Sequence, residues 1–307
     1  MRAGQLSRDA FRVLLTGSGL RVKTGPFNLS IRTRLPQLID QLYRMYAHYS
    51  LMGEAEIAEF HVRVISRCSI RRPFARLIQF EVDGRSPFPP VPAEQALATL
   101  EWGINLAIAM RINHLLLFHS AAVERNGHVL LLPAWPGSGK TTLCTALIHR
   151  GYRLFSDEFG LMDPQSGAFF PLPRLMPLKN RSIEVIRDYL PEAVLGPEIP
   201  GTLKGTVAHV RPPQESIRRT DETAQSRWIV FPKWSTGAAL QLEPLPRSEA
   251  FLLLASNAFN YELLGETAFN AVTHLVRNCE CRKLVYSDFD SVLAALDALT
   301  DMPADMN

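Results

Sequence analysis

Between His119 and Glu158 lie the residues of this chain whose types and spacing could do chemistry: a lysine behind two glycines, two hydroxyls behind the lysine, and a pair of acids downstream. Their centre is Val129-Leu130-Leu131-Leu132-Pro133-Ala134-Trp135-Pro136-Gly137-Ser138-Gly139-Lys140-Thr141-Thr142. Gly137 and Gly139 lack a Cβ, so consecutive N–H groups can turn inward and phosphate oxygens can come close. A helix opening at Lys140 would add unpaired N–H groups and its positive end. Lys140 would reach the β and γ phosphates of a nucleotide, and the Thr141 hydroxyl is a hard oxygen ligand for Mg²⁺. Pro136, Gly137, Ser138, Gly139, Lys140, Thr141 and Thr142 are therefore the expected nucleotide-binding stretch. Asp157 and Glu158 end an apolar-leaning run, Tyr152 to Ser156, in the manner of a Walker-B strand.

One position departs from the G-x-x-x-x-G-K-[ST] pattern, since Ala134 stands where it begins with Gly. The competing reading of the loop is a strand–turn–helix junction with a surface lysine. Asp157 and Glu158 could instead cap a turn, and His119 could be a core histidine.

The elements that must position these residues follow from periodicity. Leu115 to Phe118 and Ala121 to Glu124 read as strand, Asn126-Gly127 as a hairpin turn, and His128 to Pro133 as the antiparallel return. That places His119 on the strand beside the one feeding the loop. Leu143 to Ile148 is helical, and the strand ending at Asp157 should deliver its carboxylates to the sheet edge where the loop lies.

Earlier, Leu20 to Arg34 reads as two extended runs around Gly25-Pro26. Leu35 to Tyr49 reads as a helix with Leu38, Ile39, Leu42 and Met45 inward, and Phe60 to Ile65 and Leu77 to Val82 as strands. The proline run Ser86 to Pro92 favours an extended connector and sets a boundary between a lobe over 1–90, of unassigned role, and a domain over 91–307. A helix from Ala93 to about Asn113 should follow it. Val210 to Ser226 is polar and expected to be a mobile surface loop. Helices over Ser248 to Asn257, Glu266 to Arg277 and Ser291 to Leu299, with a strand at Lys283 to Tyr286, complete the chain before a fraying tail from Thr300.

The 307 residues are 47% apolar with a formal charge of +3, enough apolar material for a real core and too little net charge to argue for nucleic acid. Arg71-Arg72 and Arg218-Arg219 read as solvated faces. Cys68, Cys144, Cys279 and Cys281 are too few and too irregular for a disulfide framework, and Cys279-x-Cys281 lacks metal partners at ligand spacing. The first twenty residues do not read as a secretion signal. Ile104 to Phe118 is broken by Arg111, Asn113 and His114, which argues against a membrane span. A reduced, cytoplasmic protein is expected.

His119-Ser120-Ala121, the loop, Arg150-Gly151-Tyr152-Arg153-Leu154 and Ser156-Asp157-Glu158 together resemble the kinase domain of HPr kinase/phosphorylase. They are more similar still to the HprK-related kinases, a bacterial set that shares that core. The resemblance spans roughly residues 115 to 260 and extends to the nucleotide fold of phosphoenolpyruvate carboxykinase; the first 90 residues do not resemble the HPr enzyme's N-terminal domain. It implies an α/β fold, a P-loop kinase core with a mixed sheet, to which the strand and helix patterns of residues 1–90 add a small N-terminal α+β lobe.

The resemblance also implies roles. Lys140 becomes a phosphate ligand in catalysis, Thr141 a magnesium ligand, and Asp157 the base that takes the acceptor's proton. His119 and Glu158 support metal, water or phosphate, so that Thr141, Glu158 and Asp157 are the metal candidates. Lys233, ending Arg227 to Lys233, corresponds to a basic residue that reaches the transferred phosphate, the other reading being a surface lysine. Arg174 and Lys179 could line the same mouth. Near Lys204-Gly205 the family's acid is missing, since Thr202 or Leu203 falls there.

The function so implied is an ATP- and Mg²⁺-dependent kinase acting on a serine-type hydroxyl of a protein, peptide or small molecule, with no nucleic acid or membrane span involved and a homo-oligomer possible. HPr itself is not implied as acceptor. The alternatives are a nucleotide-dependent switch and a degenerate ATP-binding scaffold.

Overall fold

Ser7 opens the first helix, its Oγ accepting the Ala10 N–H at 3.2 Å at the head of α1 (Arg8–Thr16), whose Phe11 and Leu15 are buried. The sequence reading assigned no helix there. The computed structural model describes residues 1–301 other than 54, 70, 71 and 136, and their side chains other than those of 69 and 72–75. It resolves into two compact units, Met1–Arg111 with Arg174–Arg218, and Ile112–Pro173 with Arg219–Asn307.

In the first unit, alternating apolar residues pair β1 (Leu20–Thr24) antiparallel with β2 (Phe27–Thr33). The helix α2 (Pro36–Met45) buries Leu38, Ile39, Leu42 and Met45, the face expected from their spacing. Next, β3 (Phe60–Ser69) lies parallel to β2, β4 (Arg72–Val82) antiparallel to β3, and β5 (Val91–Pro92) antiparallel to β4. The end of the proline run thus belongs to this sheet, and α3 (Ala96–Arg111) after it belongs to the same unit. The division of the chain into units therefore falls after α3 and not at the prolines.

The second unit begins with β6 (Leu116–Arg125) and β7 (His128–Pro133), joined by Asn126 at φ 54° and Gly127 at φ 81°, the two positive dihedrals of a tight hairpin. After the loop come α4 (Lys140–Ile148), β8 (Arg153–Ser156), β9 (Phe159–Met162) and β10 (Ala168–Phe170). The chain then supplies the first unit with β11 (Met176–Lys179), α5 (Arg181–Tyr189), β12 (Ile199–Thr202), β13 (Gly205–Val210) and α6 (Gln214–Arg218). There β13 lies between β11 and β12 and is buried over Val207 to Val210. The expected mobile loop from Val210 is corrected here: α6 buries Ser216 and Ile217, and a strand resumes at Ala224.

The second unit is completed by β14 (Ala224–Trp234), β15 (Gln241–Pro244), α7 (Arg247–Ser256), α8 (Tyr261–Leu264), α9 (Glu266–Asn278), β16 (Glu280–Tyr286) and α10 (Phe289–Thr300). Its mixed sheet runs β10-β9-β6-β7-β14-β16-β15, with β8 also on β6. The start of β14 pairs back to β10, so part of the sheet closes on itself around Phe118, Phe169, Leu131 and Ile229. The strands β7, β14 and β16 are parallel, so their carboxyl ends share one edge. The fold is therefore mixed α/β with mixed sheets. Among the described residues no helix is long and apolar enough to cross a membrane. The tail beyond residue 301 lies outside the described residues.

Candidate functional site

The strand β7 is buried from Val129 onward and delivers a short loop at the carboxyl edge of the sheet. In it Gly137 has φ 88° and Gly139 φ 85°, left-handed values that a side chain resists. A methyl at Gly139 would also stand 2.8 Å from the Tyr286 Oη and 3.0 Å from the Trp234 Cβ, whereas at Gly137 it would meet nothing within 4 Å. Gly137 is thus needed for the backbone alone, and Gly139 for backbone and space together. Neighbouring strands pin the loop: the Trp234 N–H donates to the Ser138 carbonyl at 2.9 Å and the Tyr286 hydroxyl to that of Gly139 at 3.4 Å. The Ser138 Oγ, hidden from solvent, has no hydrogen-bond partner among the described residues. Pro136 lies outside the described residues.

Helix α4 starts at Lys140, so the N–H groups of its first turn point back toward the glycines. Lys140 is only 8% exposed, rare for a lysine, and Thr141 and Thr142 are half-buried beside it. One turn on sits the fully buried Cys144. Burial chiefly, and then the negative charge of Asp157, push its thiol well above the ordinary range, while Lys140 acts in the opposite sense. Both charges therefore reach the same sulfur, which brings Lys140 and Asp157 into one neighbourhood.

The strand expected to end in the acids is interrupted at them. β8 pairs with β6 up to Ala122↔Ser156, β9 resumes at His119↔Phe159, and Asp157 and Glu158 form the bend between. The bend is capped by the Ser156 Oγ, which accepts the N–H groups of Glu158 at 3.3 Å and Phe159 at 3.0 Å. Capping is thus done by the serine. Because Ser120 pairs with Pro133 on the other side of β6, the bend is level with the end of β7, two strand spacings or about 10 Å away. Asp157 is 5% exposed and Glu158 half-buried.

His119 is part-buried, with its ring edge-on to Phe259 at 5.6 Å and its backbone N–H donating to the Asn257 carbonyl at 2.7 Å. Lys233 is exposed near the end of β14, on the opposite side of β7 from the acids. Loop, Lys140, His119, Asp157, Glu158 and Lys233 all belong to the second unit. Arg174, Lys179 and Lys204 belong to the first. The expectation that Arg174 lines a phosphate mouth is corrected by its place in a buried ion pair, its Nη2 at 2.5 Å from the Glu101 Oε2. Lys204 stands over the Trp102 ring at 5.1 Å.

Trp234, Tyr286 and Cys144 went unmarked in the sequence. The first two abut the loop only because β14 and β16 run parallel to β7, a pairing with no local signal. Among the described residues no cluster of three or more His, Cys, Asp or Glu could hold a metal. A Mg²⁺ at this loop would not need one, since it takes most of its ligands from phosphate and water.

No protein-family model matches the chain, and no curated protein matches it by sequence. Among solved structures it is similar to the Hpr(Ser) kinase/phosphatase from Coxiella burnetii, at 10% identity over 60% of this chain and 92% of that one. The TM-score is 0.25, and a likeness at that score carries no argument about fold or activity.

Proposed function

We propose that this chain is an ATP- and Mg²⁺-dependent kinase with a P-loop core, transferring the γ-phosphoryl group to a serine-type hydroxyl on a protein, peptide or small molecule. The observation that carries the reading is the meeting, at one sheet edge, of the left-handed glycine loop, the head of α4 with Lys140, and the Asp157 bend. The buried Ser138 Oγ, without a hydrogen-bond partner among the described residues, and the open space at Gly137 suit a polyphosphate that accepts hydrogen bonds and comes close to the backbone.

Phosphoryl transfer asks the protein mainly for alignment and charge neutralisation. The N–H groups of Gly137 to Thr142 and the Lys140 ammonium hold the β and γ phosphates, and Lys233 approaches the transferred group. The Thr141 hydroxyl and Glu158 would hold a Mg²⁺, which would supply further charge neutralisation when bound. Asp157 accepts the acceptor's proton as its oxygen attacks, and His119 orients the acceptor or a water beside it.

The same burial supports a second reading. A general base must come within about 2.6–3.2 Å of the hydroxyl it deprotonates, and an Asp157 that is 5% exposed must be reached through the bend. That favours a nucleotide-binding scaffold if no acceptor enters.

Incubation with γ-labelled ATP and candidate acceptors separates the readings. Lys140→Ala is expected to abolish ATP binding, measured by calorimetry. Asp157→Asn should bind ATP like the wild type yet lose about 10²–10⁴-fold in transfer, the usual worth of a positioned base. Equal transfer in Asp157→Asn and wild type would remove the kinase assignment.

A further inference from the structure

The loop has two sides. The acids lie across β6, while β14 and β16 end on the other flank of β7 with Trp234 and Tyr286 paired at their tips. Tyr286 is buried, its hydroxyl committed to the Gly139 carbonyl. Trp234 is tied at its backbone by the N–H bond to the Ser138 carbonyl, and its Cβ lies where a methyl on Gly139 would stand 3.0 Å away, yet the residue is 43% exposed. A large apolar ring half in water, on a backbone tied to a phosphate-type loop, is a ready stacking surface, since every nucleobase offers a π-face. If the terminal phosphate lies toward Asp157, the nucleoside must leave the loop on the flank where Trp234 stands.

We propose that Trp234 is the platform on which the base of the bound nucleotide stacks. This rests on the nucleotide reading above and deepens it by assigning the far end of the ligand. Trp135, 58% exposed at the start of the loop, is close in sequence, but among the described residues its backbone has no bond to a neighbouring strand. Stacking alone does not read a base edge, so the platform makes no sharp choice between adenine and guanine.

The experiment compares MgATP and inorganic triphosphate with Mg²⁺ as ligands of the full chain, by calorimetry. Trp234→Ala should weaken ATP about 5- to 150-fold, the span of a base–aromatic stack, and change triphosphate affinity less than about twofold. Trp234→Phe, which keeps a ring, should stay within about threefold for both. Equal losses for ATP and triphosphate in Trp234→Ala, or unchanged ATP affinity, would overturn the platform while leaving the loop's role intact. If triphosphate fails to bind the wild type, or binds Lys140→Ala equally well, the loop reading itself falls and takes the platform with it.

Discussion

Each unit hides charge, and the two do it differently. In the first unit Glu101, 3% exposed, receives Arg174 at 2.5 Å on one oxygen and the Tyr46 hydroxyl at 2.5 Å on the other. Tyr46 stacks on Tyr49 with ring centroids 4.6 Å apart, and burial first and the Glu101 charge second hold its phenol well above the ordinary value. The carboxylate is thus answered from both sides inside the unit, among aromatic rings. In the second unit Lys140 and Asp157 are about as hidden, but they border a loop whose glycines keep the backbone open and whose flanking tryptophans are exposed. Buried charge alone therefore does not single out the proposed site; it is the combination with a left-handed glycine loop and an accessible rim that sets it apart from the Glu101–Arg174 pair.

That contrast can be broken most sharply at Arg174. Arg174→Ala leaves Glu101 buried without its cation and should cost about 3–5 kcal/mol of stability, read as a lowered urea midpoint. Pairing Arg174→Met with Glu101→Gln should return most of that loss, because no uncompensated charge is left. Failure of the double variant to recover would mean that the pair specifies the packing and does more than neutralise itself.

His209 sharpens the comparison further. It is fully buried on β13, its ring nitrogens have no partner among the described residues, and burial chiefly lowers its pKa to about 4, with Glu101 raising it and Arg174 lowering it. The unfolded chain takes up a proton near pH 6.5 and the folded one only near pH 4, so stability is full above about 6.5 and falls as pH drops through that window. The loss should be on the order of 3 kcal/mol. His209→Leu should flatten that part of the pH–stability curve while keeping the stability at pH 7; a curve with the same slope would remove His209 as its source.

The smallest effect is expected on the surface of the second unit. There Arg125 pairs with Asp297 at 2.8 Å and with Asp301 at 2.8 Å, partly in solvent. Arg125→Ala should cost about 1–2 kcal/mol, since the bidentate pair with Asp301 is part of a small network, and the cost should shrink with added salt in thermal melts.

Legibility tracked locality. The Asn126-Gly127 hairpin, the helix behind Lys140 and the apolar faces of α2 and α9 are set by neighbours within a few positions, and each is found where its pattern put it. The segments read wrongly or passed over are α1, α5 and α6, short helices that bury only two side chains each and so leave a weak periodic pattern. Charge misled at Arg174, because its partner Glu101 is 73 positions away and a basic residue in a proline-rich stretch looks solvent-facing.

By itself the sequence determined the glycine–lysine turn, the helix after it and the spacing to the acid pair, because dihedral preference, helix period and missing Cβ atoms act over a few residues. Only the tertiary structure decided that β14 and β16 run parallel beside β7, that Trp234 and Tyr286 close on the loop, and that the acids sit in a bend level with its start. Strand pairing across more than ninety positions is settled by burying a shared core, and no local pattern encodes which edge will meet which.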